Sequence, residues 1–379
     1  MKEGMNPFRE VEESLGQLET QQAITKEIRK TGFRETMKTP QYSEHHTEGE
    51  GVASHYRLIF DVVSAIQHEG DERFMERLPK FTREKLSEID PIVKHTIRQY
   101  PGVMRYAIMV HDIAKQSQSR MFKFPDLHLP EQRPGGIDDE QWSALEGFLT
   151  KGLSWNAKDK TPDSPDQAEA RDLHDHLLAL GFSGEQIKQM FGMDVRFYEH
   201  ERRSGELVSG MEIPDQIKKV LFKLAAEHMK PLLAFSDHNI TYYKKKLGAN
   251  AAEDKVCNKI YRERFKDYSN TELRLAMALF AVDKLGSLPE NGEYDLRPMH
   301  RALAANRRVW VGDMIEKNKR AVFNEILSKR YPSLMNKREN EMSQAEESKY
   351  FALQDEVLDD LKNRYTKQYQ EMMEGENDE

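Results

Sequence analysis

Histidines and aspartates set into apolar surroundings are the first candidates for chemistry in this chain. The doublet His111-Asp112 closes the apolar stretch YAIMV and is followed by IAK. An adjacent imidazole and carboxylate on a helix can direct a nitrogen and an oxygen toward one divalent cation. His55 falls on the inward stripe of an earlier helix, and Asp283 interrupts the apolar run LRLAMALFAVDKLGS. A carboxylate buried there is expensive unless it is paired or holds a metal. Together these residues offer two imidazoles and two carboxylates, a set that suits Mn²⁺, Fe²⁺, Mg²⁺, Co²⁺ or Ni²⁺. Asp237, which precedes His238 in FSDHNI, is the rival to Asp283 as the last ligand, although a helix cap or turn is its first reading.

Other groups sit close enough in sequence to serve an anionic substrate. Lys115 follows the doublet by one helical turn. It can neutralise a phosphate oxygen in a transition state or pair with a surface carboxylate. Arg57, Arg196, Arg202, Arg203 and Lys230 form a scattered basic set whose bland reading is a solvated surface. His228 lies on the inner stripe Ile217–Leu232, and His200 sits in FYEHERRSGEL; each reads as a ligand or as a hydrogen-bonded core residue. His45, His46, His174 and His176 lie in polar surroundings and are expected to be solvated, although His45-His46 precede His55 and would rim its pocket.

The elements that must position these groups are helices. Val52, His55, Ile59, Val62, Val63 and Ile66 recur three or four apart, as do Met104, Ala107, Ile108 and His111. Ile217, Leu221, Leu224, His228 and Leu232 repeat the pattern, and Thr271 to Leu285 gives a further apolar helix, entered through Asn270-Thr271. Alternating β-branched runs are nearly absent, so the expected fold is all-α.

Punctuation divides the chain into three parts. Residues 1–40 read as a polar helical arm and 41–290 hold the strongest helices. Residues 291–379 run as charged helix into the acidic EMMEGENDE, whose end is expected to be disordered. Prolines and glycines interrupt 120–170, which reads as an irregular insertion.

Composition bounds the function classes. The 379 residues carry 57 Lys+Arg against 65 Asp+Glu, a net charge of −8, which disfavours a dedicated nucleic-acid wrapper. Charged residues make up 32% and mean hydropathy is −0.80, so much of the chain should be surface-rich helix. Cys257 is the single cysteine, which excludes an intramolecular disulfide and a thiolate cluster. No apolar run reaches the roughly 20 residues of a membrane span, and the first residues lack an apolar leader, so a cytoplasmic protein is expected.

The ordered set His55, His111-Asp112 and Asp283 resembles the H…HD…D signature of the HD-domain metal-dependent phosphohydrolase superfamily. YAIMVHDIAK is similar to that family's HD(I/L)GK segment, with Ala114 in place of the usual glycine and Lys115 retained. FAVDKLGS resembles its later AD helix. The stretch HHTEGEGVASHYRLIFDVV is similar to the first-histidine region of HD domains attached to tRNA nucleotidyltransferases. The likeness covers roughly residues 41–290.

That resemblance implies an HD-type helical bundle and a divalent-metal phosphohydrolase or phosphodiesterase that uses metal-activated water. It implies His55, His111, Asp112 and Asp283 as ligands of one cation, with Asp112 also orienting the nucleophile. His200 and His228 would hold a second cation bridged by Asp112. Lys115, Arg57, Arg196, Arg202 and Lys230 would bind phosphate. The implied substrates are nucleotides, cyclic phosphates or RNA-end phosphates. The competing class is a non-catalytic HD-like module that binds a protein partner through its C-terminal helices.

Overall fold

The structure, a computed structural model, describes residues 7–41, 51–115, 120–123, 165–184, 194–197, 199–289, 293–335 and 341–373, with a few isolated positions besides. Among them are seventeen helices and one two-stranded ribbon, so the fold is all-α as the periodicities predict. The chain divides into two compact units, residues 1–230 with 274–296 and residues 231–273 with 297–379. No helix is long and apolar enough to cross a membrane among the described residues.

The first unit opens with α1 (Pro7–Leu15), α2 (Leu18–Lys30) and α3 (Phe33–Lys38). These do not form a polar arm. Phe8, Val11 and Leu15 recur at helical spacing and are buried, as are Ile24 and Ile28. The charged residues between them lower the average hydropathy and mask that stripe. Next come α4 (Val52–Gln67), α5 (Glu72–Met75), α6 (Lys80–Lys85), α7 (Pro91–Gln99) and α8 (Pro101–His111). Proline at the first position of α7 and of α8 fits the helical φ and loses no needed N–H. Asp90 caps α7 by accepting from Ile92 N at 2.9 Å. The cap of α8 comes from far away in sequence: Glu12 of α1 accepts from Gly102 N at 2.7 Å and from Val103 N at 2.8 Å.

The 120–170 insertion is largely outside the described residues. Where it begins, β1 (Arg120–Lys123) pairs antiparallel with β2 (Asp194–Phe197), Arg120 opposite Phe197 and Lys123 opposite Asp194. Helix α9 (Pro165–Ala179) starts inside the expected bounds of the insertion. The unit continues with α10 (His200–Ser209) and α11 (Asp215–Glu227). Helix α12 (Lys230–Phe235) leads out of it.

The second unit holds α13 (Asp237–Leu247), α14 (Glu253–Arg264) and the start of α15 (Asn270–Gly286), whose residues from Arg274 onward belong to the first unit. It ends in two long helices, α16 (Arg297–Arg330) and α17 (Gln344–Met373). Their contacts run in opposite directions along the chain: Phe323 meets Tyr350, and Trp310 meets Tyr365 and Tyr369. Leu353, Val357, Leu361, Tyr365, Tyr369 and Met373 recur every fourth residue and form the buried side of α17. The acidic tail from residue 374 lies outside the described residues.

Candidate metal centre

Helix α4 turns His55 inward, fully buried, and packs beside the end of α15. Gly286 makes the approach possible, because a Cβ there would lie 2.2 Å from Ile59 Cγ1 and 3.2 Å from Ile59 Cα. Asp283, one turn earlier on α15, accordingly brings Oδ1 to 3.0 Å from His55 Nε2.

Helix α8 ends at the doublet, with His111 its last residue and Asp112 its C-cap. The negative end of the helix dipole therefore points at the site, which favours a cation there. His228 is likewise the C-cap of α11. Gly205 lets α10 close on α11, since a Cβ would sit 2.7 Å from that of Ala226. The turn into α10 passes through Glu199, whose φ of 47° is left-handed and uncommon for a residue with a side chain.

All four imidazoles are anchored in the same way. Nδ1 of His111 lies 2.7 Å from the carbonyl of Ile108, that of His228 2.8 Å from Ala225, that of His200 3.0 Å from Phe197, and that of His55 3.0 Å from Gly286. A carbonyl only accepts, so each Nδ1 carries the proton and each Nε2 faces the cluster. This is the outer-shell arrangement that fixes the tautomer of a metal-ligating histidine.

Asp112 joins two groups. Its Oδ2 lies 3.1 Å from His111 Nε2 and 3.5 Å from His55 Nε2. Its Oδ1 lies 3.2 Å from His200 Nε2 and 3.7 Å from His228 Nε2. Asp283 Oδ1 completes the first group at 3.3 Å from His111 Nε2. Thus His55, His111, Asp112 and Asp283 form one potential cation site, and Asp112, His200 and His228 a second, with ligand atoms within 4.8 Å of one another in each.

The donor set fits metal better than it fits hydrogen bonding. His111 Nε2 and both Asp112 oxygens have no well-directed hydrogen-bond partner, although ion-pair distances connect them. The distances and the missing hydrogen-bond direction agree if these atoms converge on a common point rather than on each other. The Nε2 atoms of His200 and His228 are 3.2 Å apart, a contact between two lone pairs unless a proton or a cation lies between them.

Electrostatics follows the same division. Burial would raise the Asp112 carboxyl, but His111, Lys115 and His200 hold it well below the usual carboxylate range. Asp283 is likewise depressed despite burial, by His111 and His55. Burial would lower His111, yet the two carboxylates raise it to about 9. His228 is pushed down to about 3 by burial and by the neighbouring His200 and His111.

Lys115 is buried and contacts Asp112 rather than a surface acid, with Nζ 2.6 Å from Asp112 Oδ2. Gln41 accepts from the same ammonium at 3.1 Å, and the ammonium lies over the Phe197 ring. Gln41 was not apparent as a site residue in the sequence, nor were three others. Tyr56 packs its ring 5.5 Å from that of His111. Thr36 donates to Ile113 O at 2.7 Å, and Ser204 accepts from Ala114 N at 3.2 Å. No sequence signal marked them, because their role depends on contacts between distant segments.

Several expected site residues lie elsewhere. Asp237 pairs with Arg301 at 2.7 Å and Arg297 at 2.9 Å in the second unit, so Asp283 takes the place for which both competed. Arg57 is exposed, since two residues of helix turn it away from His55. Arg202 is exposed and pairs with Glu199 at 2.6 Å and with Glu206. Lys230 pairs with Glu227 at 3.1 Å. The side chain of Arg196 and residues His45 and His46 lie outside the described residues. His176 is exposed as expected, but His174 is fully buried, on the inner side of α9 beside Leu173 and Leu177.

Comparison with known protein families, curated proteins and solved structures found no match for this chain.

Proposed function

We propose that this chain is a divalent-metal-dependent phosphohydrolase of the HD type. It would cleave a phosphomonoester or phosphodiester, with a nucleotide or a cyclic phosphate as the substrate class. The observation that carries this reading is the division of the Asp112 oxygens between two pairs of imidazoles. A carboxylate shared in this way suits a two-cation site that clamps the attacking and leaving oxygens of a phosphoryl group.

His55, His111, Asp112 and Asp283 would hold one cation, and Asp112, His200 and His228 the other. When bound, such cations supply Lewis-acid polarisation of a phosphoryl oxygen and a water acidified toward neutral pH. The chain's own groups do the positioning. Asp112 fixes the line between the two sets, and four backbone carbonyls hold the imidazoles in one tautomer. Lys115 places Nζ 2.6 Å from Asp112 Oδ2, where an ammonium would balance the negative charge that develops on a phosphoryl group. The side chains of His200 and Asp283 remain 13% and 11% exposed, so substrate would enter on their side of the cluster.

The test is metal analysis of the purified protein beside Asp112→Ala, with hydrolysis of a generic phosphodiester in added Mn²⁺, Fe²⁺, Mg²⁺, Co²⁺ or Ni²⁺. Bound metal and turnover in the wild type, both lost in the variant, are expected. A metal-free wild type without turnover in any of these ions removes the proposal. It would favour the competing reading, a helical module that binds a protein partner. Phe351 and Leu358, seven residues apart on α17 and each 42% exposed, support that second reading.

A further inference from the structure

A separate cleft opens in the first unit between α2 and α8. Arg105 and Tyr106 lie about 120–140° round α8 from His111, so the cleft faces away from the metal centre. Its volume is about 660 Å³, within the range of small-ligand sites.

The lining includes four cations and no carboxylate, although one of the four, Lys30, is paired with Glu27 at 2.5 Å and Glu212 at 3.6 Å. Lys26 and Arg29, one turn apart on α2, and Arg105 on α8 all face the cleft and are exposed. None of the three has an N–O ion pair with a described residue, but Lys26 acts electrostatically on Glu27 and the Arg105 guanidinium lies 5.9 Å from the centre of the Tyr106 ring. Tyr106 is 2% exposed, lines the cleft, and its hydroxyl has no hydrogen-bond partner among the described residues. Solvent reaches that hydroxyl, so a ligand seated in the cleft can accept from it. Leu18, 68% exposed, adds an apolar edge.

We propose that this cleft binds a phosphorylated, nucleotide-sized anion that carries at least two negative charges. Three cations without an N–O ion pair around one cavity match a di- or triphosphate, to whose oxygens arginines can make forked contacts. The Tyr106 hydroxyl donates to the ligand from the floor, and Leu18 covers its uncharged part. A single-stranded nucleic acid fits less well, because no exposed aromatic ring lines the cleft as a stacking platform. The inference stands apart from the hydrolase reading, since none of these residues belongs to the metal centre.

The experiment is calorimetric titration with ATP in the presence of EDTA, which keeps the metal centre out of the measurement. Pyrophosphate should compete with ATP and adenosine should not. The exposed double variant Lys26→Glu/Arg29→Glu should weaken ATP at least tenfold with an unchanged thermal melt. Tyr106→Phe should weaken it several-fold, and Asp112→Ala should leave it unaltered. The proposal is overturned if ATP fails to bind, if the double variant binds as well as wild type, or if Asp112→Ala abolishes binding. Displacement by adenosine as effective as by pyrophosphate, or binding of an oligonucleotide but not of ATP, overturns it too.

Discussion

His55 Nδ1 lies 3.0 Å from the carbonyl oxygen of Gly286, a residue whose position leaves no room for a side chain. Together with the close approach of Ile59 to Gly286, that contact ties α4 to α15 and keeps His55 beside Asp283. Gly286→Ala gains helix propensity worth about 1 kcal/mol, but it overpacks Ile59 at a cost of about 1–3 kcal/mol. We expect net destabilisation of about 0–2 kcal/mol in urea unfolding and at least tenfold weaker metal binding. Wild-type metal affinity in this variant would refute the claim that the close approach sets the site.

The shared carboxylate makes a stoichiometric prediction. Asp112→Asn should abolish binding at both sites, whereas Asp283→Asn should spare the His200–His228 site and His228→Ala the His55–His111 site. Elemental analysis after dialysis against Mn²⁺ distinguishes these outcomes. Equal metal loss in all three variants would mean a single site.

The chelated protein should show opposite pH dependences on the two sides of neutrality. His111 is raised from 6.5 to about 9, so its contribution is complete below pH 6.5 and is lost as pH rises through 9. His228 is lowered to about 3, so the unfolded chain takes its proton first and stability falls as pH drops from 6.5 toward 3. The urea midpoint in EDTA should therefore peak near pH 6.5. Metal must displace the His111 proton, so added Mn²⁺ should stabilise progressively more between pH 6.5 and 9. A midpoint in EDTA that climbs from pH 7 to 9 contradicts the electrostatic account.

Glu12 supplies both oxygens of the α8 cap, and its loss should cost about 1–2 kcal/mol in Glu12→Ala. Urea unfolding of the variant in EDTA measures this independently of metal. A change below a few tenths of a kcal/mol would show that solvent replaces the cap.

Five of the six candidate ligand positions were legible in the sequence because an imidazole or carboxylate within or closing an apolar helical stretch is conspicuous. His200, in the polar FYEHERRSGEL, was open to either reading. The supporting groups were not legible, since Thr36, Gln41 and Gly286 act through contacts between segments distant in sequence. The choice between Asp283 and Asp237 was undecided for the same reason: the partners of Asp237, Arg297 and Arg301, come some sixty residues later. The basic set failed because nearness in sequence does not give direction; Arg57 follows His55 by two positions and points elsewhere. The helical class was secure from periodicity, whereas the packing of α1 and α2 was hidden by the charges around a sparse apolar stripe.

Glu12 also gives α8 the character of a rod clamped at its base. The clamp holds Gly102 and Val103, and the doublet sits at the far tip, about 16 Å along the axis for the eleven residues of the helix. Aim at the tip therefore depends on a residue 90 positions away from Gly102 in sequence. A deletion through Leu15 would loosen the rod and scatter the ligands, whereas a tag added upstream of Pro7 would leave the clamp in place.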